Sequence, residues 1–345
     1  MSEKKPSPII IPIFIPNQGC QHRCVFCEQE RITSQPGQPV NGKQVEKVLN
    51  NAINSGGLDS RQKPDVAFYG GTFTKLPFGL MKELLEAVVP FIIQGIFRSI
   101  RVSTRPDALD ERRLEALKEY GVLTVELGAQ SMDNRVLTLS KRGHTAGDTV
   151  GAVHTLKELG FRVGIQLMPG LPGDSEEKFR ATISQVIDLR PDMVRLYPAL
   201  VIRGTELARW YGKSRFQPLG LEQAVEICME SCMRLEAEGI PVIRIGLMSS
   251  PTLQEKGQIL AGPWHPAFGF LVRSSIHQEK IERHLPRPGI ASQIRILAPK
   301  REVPLVRGYK NIGIRLLEGK TGAIVTGVIP DDSIPAGEIA VEVTP

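Results

Sequence analysis

The segment GCQHRCVFCEQERIT places Cys20, Cys24 and Cys27 within eight residues of a 345-residue chain that has five cysteines in all. Crowded thiols in a reducing compartment point to metal binding or catalysis rather than to disulfides. Structural zinc takes four nitrogen or sulfur ligands in a closed tetrahedron, whereas three ligands leave a position open. His22 could supply a fourth, but only by straining the same short loop. An iron–sulfur cubane held by three thiolates leaves one iron able to bind something else, so the missing fourth cysteine marks a reaction site. Structural zinc is the competing reading, and an electron carrier would normally shield its cluster with four cysteines.

Such a loop needs a scaffold, and the chain supplies alternating strands and helices. Six apolar runs have strand length: 9–16, 65–71, 99–106, 122–131, 162–170 and 193–199. Continuous β-branched runs of this kind suit parallel strands buried on both faces. Helical patterns lie between them at 42–53, 78–92, 110–121, 147–160 and 174–189. Asn41 and either Asp174 or Ser175 stand where caps would start two of these, and Gly121 and Gly160 where two would stop. Six β/α units predict a partial (β/α)6 barrel of the TIM type, with the cysteines just after the first strand, where barrel enzymes keep their chemistry. A further helix (221–239) leads into IPVIRIG (240–246), after which the alternation stops. We therefore expect a core domain over 1–246 and a C-terminal extension over 247–345 that closes the barrel.

Composition is that of a soluble globular protein, with 41% hydrophobic and 23% charged residues. No apolar run reaches the ~18 residues of a membrane span. The basic start and the run IIIPIFIP invite a leader reading, but prolines interrupt the run and no small-residue cleavage site follows. A cytoplasmic protein is expected. The net charge of +6 is compatible with nucleic-acid binding without requiring it. The most basic long stretch runs from Arg287 to Lys310 and includes Arg295, Lys300 and Arg301; it reads equally as a solvated face or as an RNA footprint.

The cysteine loop and the strings at the later strand ends resemble the radical S-adenosylmethionine (SAM) superfamily. The resemblance implies a 4Fe–4S cluster on Cys20, Cys24 and Cys27, with the open iron chelating the amino and carboxylate groups of SAM. One electron, from a donor of the flavodoxin or ferredoxin type, would cleave SAM and release a 5′-deoxyadenosyl radical. By the same resemblance Phe26 lies against the adenine, and Gly70, Gly71 and Thr72 of YGGTF meet the methionine amino group. Arg142 of KRGHT pairs the SAM carboxylate, a task suited to a planar guanidinium. Ser103 and Gln130 close strands three and four at the cofactor. Gln166 faces the ribose, and Met168, Pro169 and Gly170 face the adenine. ELGAQS, KRGHT, MPGLPG and LYPALVIRGTEL together resemble the catalytic subunit of Elongator, which modifies the wobble uridine of tRNA; tRNA is thus the expected partner. GLPG is also found in the oxygen-independent coproporphyrinogen oxidases, so a small metabolite is the alternative substrate. Three departures stand out: a shorter gap between the first two cysteines, no N-terminal RNA-binding extension, and no acetyl-CoA-binding glycine loop in 247–345. They suggest an Elongator-type core on its own.

Cys228 and Cys232, four apart on a helical pattern, read as buried core thiols, since a second cluster would need partners that the sequence does not offer. Trp264 and His265 in GPWHPAFG could line the barrel mouth or form a packed turn. His277 and His284 read as a partly exposed helix face.

Overall fold

The computed structural model describes residues 9–35, 40–56, 63–285 and 287–344. The basic start at residues 1–8 therefore lies outside the described residues. Contacts divide the chain into two compact units, one of Met1–Gly220 with Arg234–Trp264, the other of Leu221–Met233 with His265–Pro345. The expected boundary at 246 falls at the end of a strand of the first unit.

The first unit is built on a curled parallel sheet. Its strands are β1 (Ile10–Ile15), β2 (Asp65–Gly70), β3 (Ile100–Thr104), β4 (Val122–Gln130), β5 (Arg162–Leu167) and β6 (Met193–Leu196). After a two-residue β7 (Val201–Ile202) comes β8 (Val242–Ile245), and the sheet order is β1-β2-β3-β4-β5-β6-β8. IPVIRIG thus adds a seventh strand to the six expected, and β1 and β8 are the open edges. β7 pairs antiparallel with β9 (Ile259–Ala261).

Period-two alternation sorts the apolar runs into two faces. On β1, Ile13 and Ile15 are buried in the core, while Ile10, Pro12 and Phe14 line the barrel lumen. On β2, Val66 and Phe68 are fully buried and Phe68 packs on Phe73 at 4.8 Å, while Tyr69 lines the lumen. The helices begin where the capping residues stand. Asn41 forms a capping box with Gln44 for Gly42–Asn54, and Ser175, not Asp174, caps Glu176–Leu189. The expected helix at 78–92 is interrupted: it forms as Phe78–Glu86 and Val89–Ile93, with Pro90 unable to donate a hydrogen bond back into a continuous helix.

The second unit carries the helix Phe268–Glu282 and a three-stranded sheet in the order β11-β10-β12, of β10 (Gln293–Ala298), β11 (Ile324–Pro330) and β12 (Ala340–Thr344). Its core gathers Ile281, Ile296, Val306, Leu317 and Val328. His277 is buried, contrary to the partly exposed face expected: its Nε2 lies 3.0 Å from Glu302 Oε2, whose carboxylate also accepts from the Gly337 N–H. A carboxylate partner makes an imidazole tolerable in a core. His284 is exposed. Cys228 and Cys232 are fully buried, and burial, then the neighbouring Cys232, pushes the Cys228 thiol well above its usual range.

Candidate active site

The cysteine loop leaves β1 and docks on the end of β2. Gly71 N–H donates to Ile15 O at 3.0 Å, Thr72 N–H to Gln18 O at 2.8 Å, and Gln29 Nε2 to Gly70 O at 2.6 Å. The contact needs glycine. A Cβ on Gly71 would sit 2.0 Å from the Gln18 carbonyl oxygen, and one on Gly19 2.2 Å from that of Thr72. The paired glycines of YGGTF therefore seat the loop before they can serve any ligand. The far side of the loop is held by Val25 N–H on Ser140 O and Leu207 N–H on Val25 O.

Cys20, Cys24 and Cys27 line one cavity of about 140 Å³, together with Gly70, Gly71 and Thr72. Cys20 Sγ lies 3.4 Å from Thr72 Oγ1, and Arg142 Nη1 donates to Cys24 Sγ at 3.0 Å. Arg142 Nη2 donates to Gly128 O at 2.5 Å, while its Nε is buried with no partner. Burial pushes the Cys27 thiol up to about 12, the other two cysteines push the same way, and Arg142 opposes them. Three thiolates so close need more positive charge than one guanidinium brings, which a bound metal cluster would provide. Among the described residues no three His, Cys, Asp or Glu groups converge on a point as around a single ion.

Ser103, Gln130 and Gln166 line the same cavity from the ends of β3, β4 and β5. Gln130 has φ +69°, a backbone conformation that residues other than Gly, Asn and Asp rarely adopt, and its Oε1 is buried without a partner. Arg105 is also in this wall, bidentate on Asp107 at 2.9 and 2.8 Å, with its Nη1 buried and unpartnered. Unpartnered buried atoms on Arg105, Gln130 and Arg142, a glycine-lined floor and three thiols form a donor set that fits a three-cysteine cluster and a polar cofactor. Phe26 and Met168 pack with Val136, Leu171 and Ala199 into an apolar wall. Pro169 and Gly170 do not line this cavity: the Pro169 carbonyl accepts from Ala199 N–H, and Gly170 N–H donates to Asp174. Trp264 packs beside Leu200, Ile202 and Leu253, and His265 meets Tyr309 edge-on at 4.8 Å. Neither lines the cysteine cavity or the larger cavity next to it.

Next to the cysteines the lumen opens into a cavity of about 450 Å³, which shares Cys27 and Gly70 as well as Phe26, Ser103, Gln130 and Gln166 with the smaller one. Its wall residues Tyr69, Gln166 and Arg195 all bond to Glu126, which lies behind the wall and is only 1% exposed. Glu126 Oε1 accepts from Tyr69 at 3.0 Å, Arg101 at 2.9 Å and Arg195 at 3.0 Å; Oε2 lies 2.6 Å from Arg195 Nε and accepts from Gln166 at 3.1 Å. Burial alone would raise its pKa, but the guanidiniums of Arg195 and Arg101 hold it below the usual carboxylate value. Gly164 makes the room, since a Cβ there would meet Glu126 Cγ at 3.0 Å. Gln166 also reaches Ser103 Oγ at 3.1 Å and so joins the lumen to the cysteine cavity.

Sequence reading alone passed over this network. Its signal was nonetheless present: Arg101, Glu126, Arg195 and Arg244 are each a lone charge inside an apolar strand run, and a buried charge needs a partner.

The radical SAM superfamily model matches residues 14–186, and the radical SAM C-terminal domain model matches 191–278. The chain belongs to the radical SAM superfamily. Its members use a 4Fe–4S cluster and SAM, and the chain is accordingly a SAM-dependent radical enzyme. A tRNA uridine(34) acetyltransferase of Methanocaldococcus infernus is 41% identical over 129 residues, covering 36% of this chain and 24% of that protein. Human Elongator complex protein 3 is 29% identical over 188 residues, covering 49% of this chain and 34% of that protein. The chain thus spans about a quarter to a third of the length of these two relatives. The structure of M. infernus Elp3 with an N-terminal deletion superposes with a TM-score of 0.61 at 24% identity, over 79% of this chain and 63% of that one, which shows a shared fold.

Proposed function

We propose that the chain is a cytoplasmic radical SAM enzyme acting on tRNA. The observation that carries the substrate is the 41% identity over 129 residues to a tRNA uridine(34) acetyltransferase. The basic stretch supports it: Arg295, Lys300, Arg301, Arg307 and Lys310 are all exposed on the second unit. Cys20, Cys24 and Cys27 would hold the cluster, which together with SAM would supply a hydrogen-abstracting radical, the electron coming to the cluster from a donor of the flavodoxin or ferredoxin type.

This chain's own residues have definable tasks. Arg142, already at Cys24, would neutralise thiolate charge and offer its unpartnered Nε to the SAM carboxylate. Gln130 Oε1 would accept from an amino or hydroxyl group, and Gln166 would meet the ribose. Phe26 and Met168 give an adenine an apolar face. No helix among the described residues is long and apolar enough to cross a membrane.

The test is titration of tRNA onto anaerobically reconstituted protein at several salt concentrations. Affinity should fall as a power of salt set by the phosphates neutralised. Reversing charge at Arg295, Lys300 and Arg301 should flatten that slope, and tRNA should stimulate deoxyadenosine formation. No tRNA binding at low salt and no effect on SAM turnover would refute the tRNA reading and direct the search to small metabolites.

A further inference from the structure

Among the described residues, one guanidinium of the lumen has no carboxylate partner. Arg195 on β6 and Arg244 on β8 are register partners on adjacent strands, and both line the larger cavity. Neighbouring guanidiniums repel unless anions stand between or beside them. Glu126 serves Arg195. The other buried carboxylate, Asp65, is occupied by Arg98 at 2.7 Å and Arg101 at 3.3 Å. Arg244 has no ion-pair partner among the described residues. Its one hydrogen bond runs from Nε to the Gly246 carbonyl at 3.1 Å, which leaves both Nη groups uncommitted.

Tyr197 stands beside this pair. Its oxygen accepts from Arg195 Nη1 at 3.2 Å, so its own proton is available, and no acceptor for it lies among the described residues. Burial raises the Tyr197 pKa and keeps that proton in place at neutral pH. The β8 side of the cavity therefore presents donors without acceptors. Around it the wall is apolar: Ile10, Pro12 and Phe14 from β1, with Leu247 and Met248 after β8. A half-buried guanidinium beside apolar surface is favourable when a ligand brings the missing charge.

We propose that the β8 side of the lumen is an anion subsite, in which Arg244 and Tyr197 hold a carboxylate or phosphate carried by the substrate. The subsite rests on reading the lumen as the substrate chamber but not on that substrate being tRNA. It would anchor the charged end of a substrate at the β8 edge, while Glu126, Arg195 and Tyr69 stay paired with one another and take no part in charge recognition.

The test is calorimetric titration, at fixed ionic strength, of two pairs of probes onto reconstituted wild-type and Arg244→Gln protein. Uridine 5′-monophosphate against uridine reads phosphate recognition; N-acetylglycine against its amide reads carboxylate recognition. In the wild type the charged member of one pair should bind at least tenfold more tightly than its neutral partner. The pair showing the effect identifies the anion. Arg244→Gln should erase the preference and leave the neutral probe unchanged, and Arg244→Lys should restore part of it. Circular dichroism and iron content check that the variants fold. If Arg244→Gln fails that check, Tyr197→Phe in the same titrations should reduce the preference several-fold. Absence of a charge preference in the wild type, its survival in Arg244→Gln, or, where that variant does not fold, its survival in Tyr197→Phe overturns the proposal. Failure of tRNA to bind, with the preference intact, would refute only the tRNA reading.

Discussion

The cysteine cavity and the lumen next to it share the ends of four strands, at Gly70, Ser103, Gln130 and Gln166, yet are held in opposite ways. In the cysteine cavity Arg105, Gln130 and Arg142 each keep a buried polar atom without a partner. In the lumen Glu126 is surrounded by donors on both oxygens. The first region is built for something to arrive, and the second is largely complete before it does. Buried polar groups without partners are costly, so the three around the cysteines mark a place where the fold gives up stability for binding. The Glu126 network, with donors on both carboxylate oxygens, marks where it recovers rigidity, although Arg101 Nε keeps no hydrogen-bond partner, and Arg244 stands at its edge.

The comparison predicts that the two regions fail differently. Replacing any of Cys20, Cys24 or Cys27 by Ala should abolish the roughly four irons of the reconstituted protein, measured by iron assay and electron paramagnetic resonance. Urea denaturation of the cluster-free protein should change by only about 1 kcal/mol, the scale of one hydrogen bond. Stoichiometric zinc without iron after anaerobic purification would break the assignment. Glu126→Gln should behave in reverse, lowering stability by about 3–5 kcal/mol because Arg101 and Arg195 lose the charge that offsets their burial, while the protein that does fold still binds iron.

A pH titration sharpens the contrast. His144, buried beside the cysteine cavity, has its pKa lowered from 6.5 to about 4, first by burial and then by Arg142 and Arg105. A base with a depressed folded-state pKa contributes stability that is present above pH 6.5 and lost on acidification towards pH 4. Chemical denaturation across that range should show the loss, and His144→Gln should flatten it. The smallest effect is expected at Cys228→Ala and Cys232→Ala, which should leave iron content and SAM cleavage unchanged. If either removes iron, those thiols are ligands and not core.

Local signals made much of the scaffold legible. Asn41 and Ser175 start helices because their side chains accept from the N–H three residues on, a contact that needs no tertiary partner. The CxxxCxxC spacing after β1 and the glycine pair after β2 are equally local. Pro90 was visible too, yet whether it ends a helix or kinks it depends on packing, and here the helix breaks. His277 lies on a helical pattern that reads as surface; Glu302, distant in sequence, makes its burial possible.

By itself, then, the sequence determined the β/α alternation, the cysteine loop and the family of chemistry, because strand period, caps and ligand spacing are properties of neighbouring residues. Only the tertiary structure decided that IPVIRIG is a seventh strand, that Glu126 gathers Arg101 and Arg195, and that Arg244 is left over. Pairing between charges on different strands depends on register, which is settled when the sheet curls and its inward-facing residues meet.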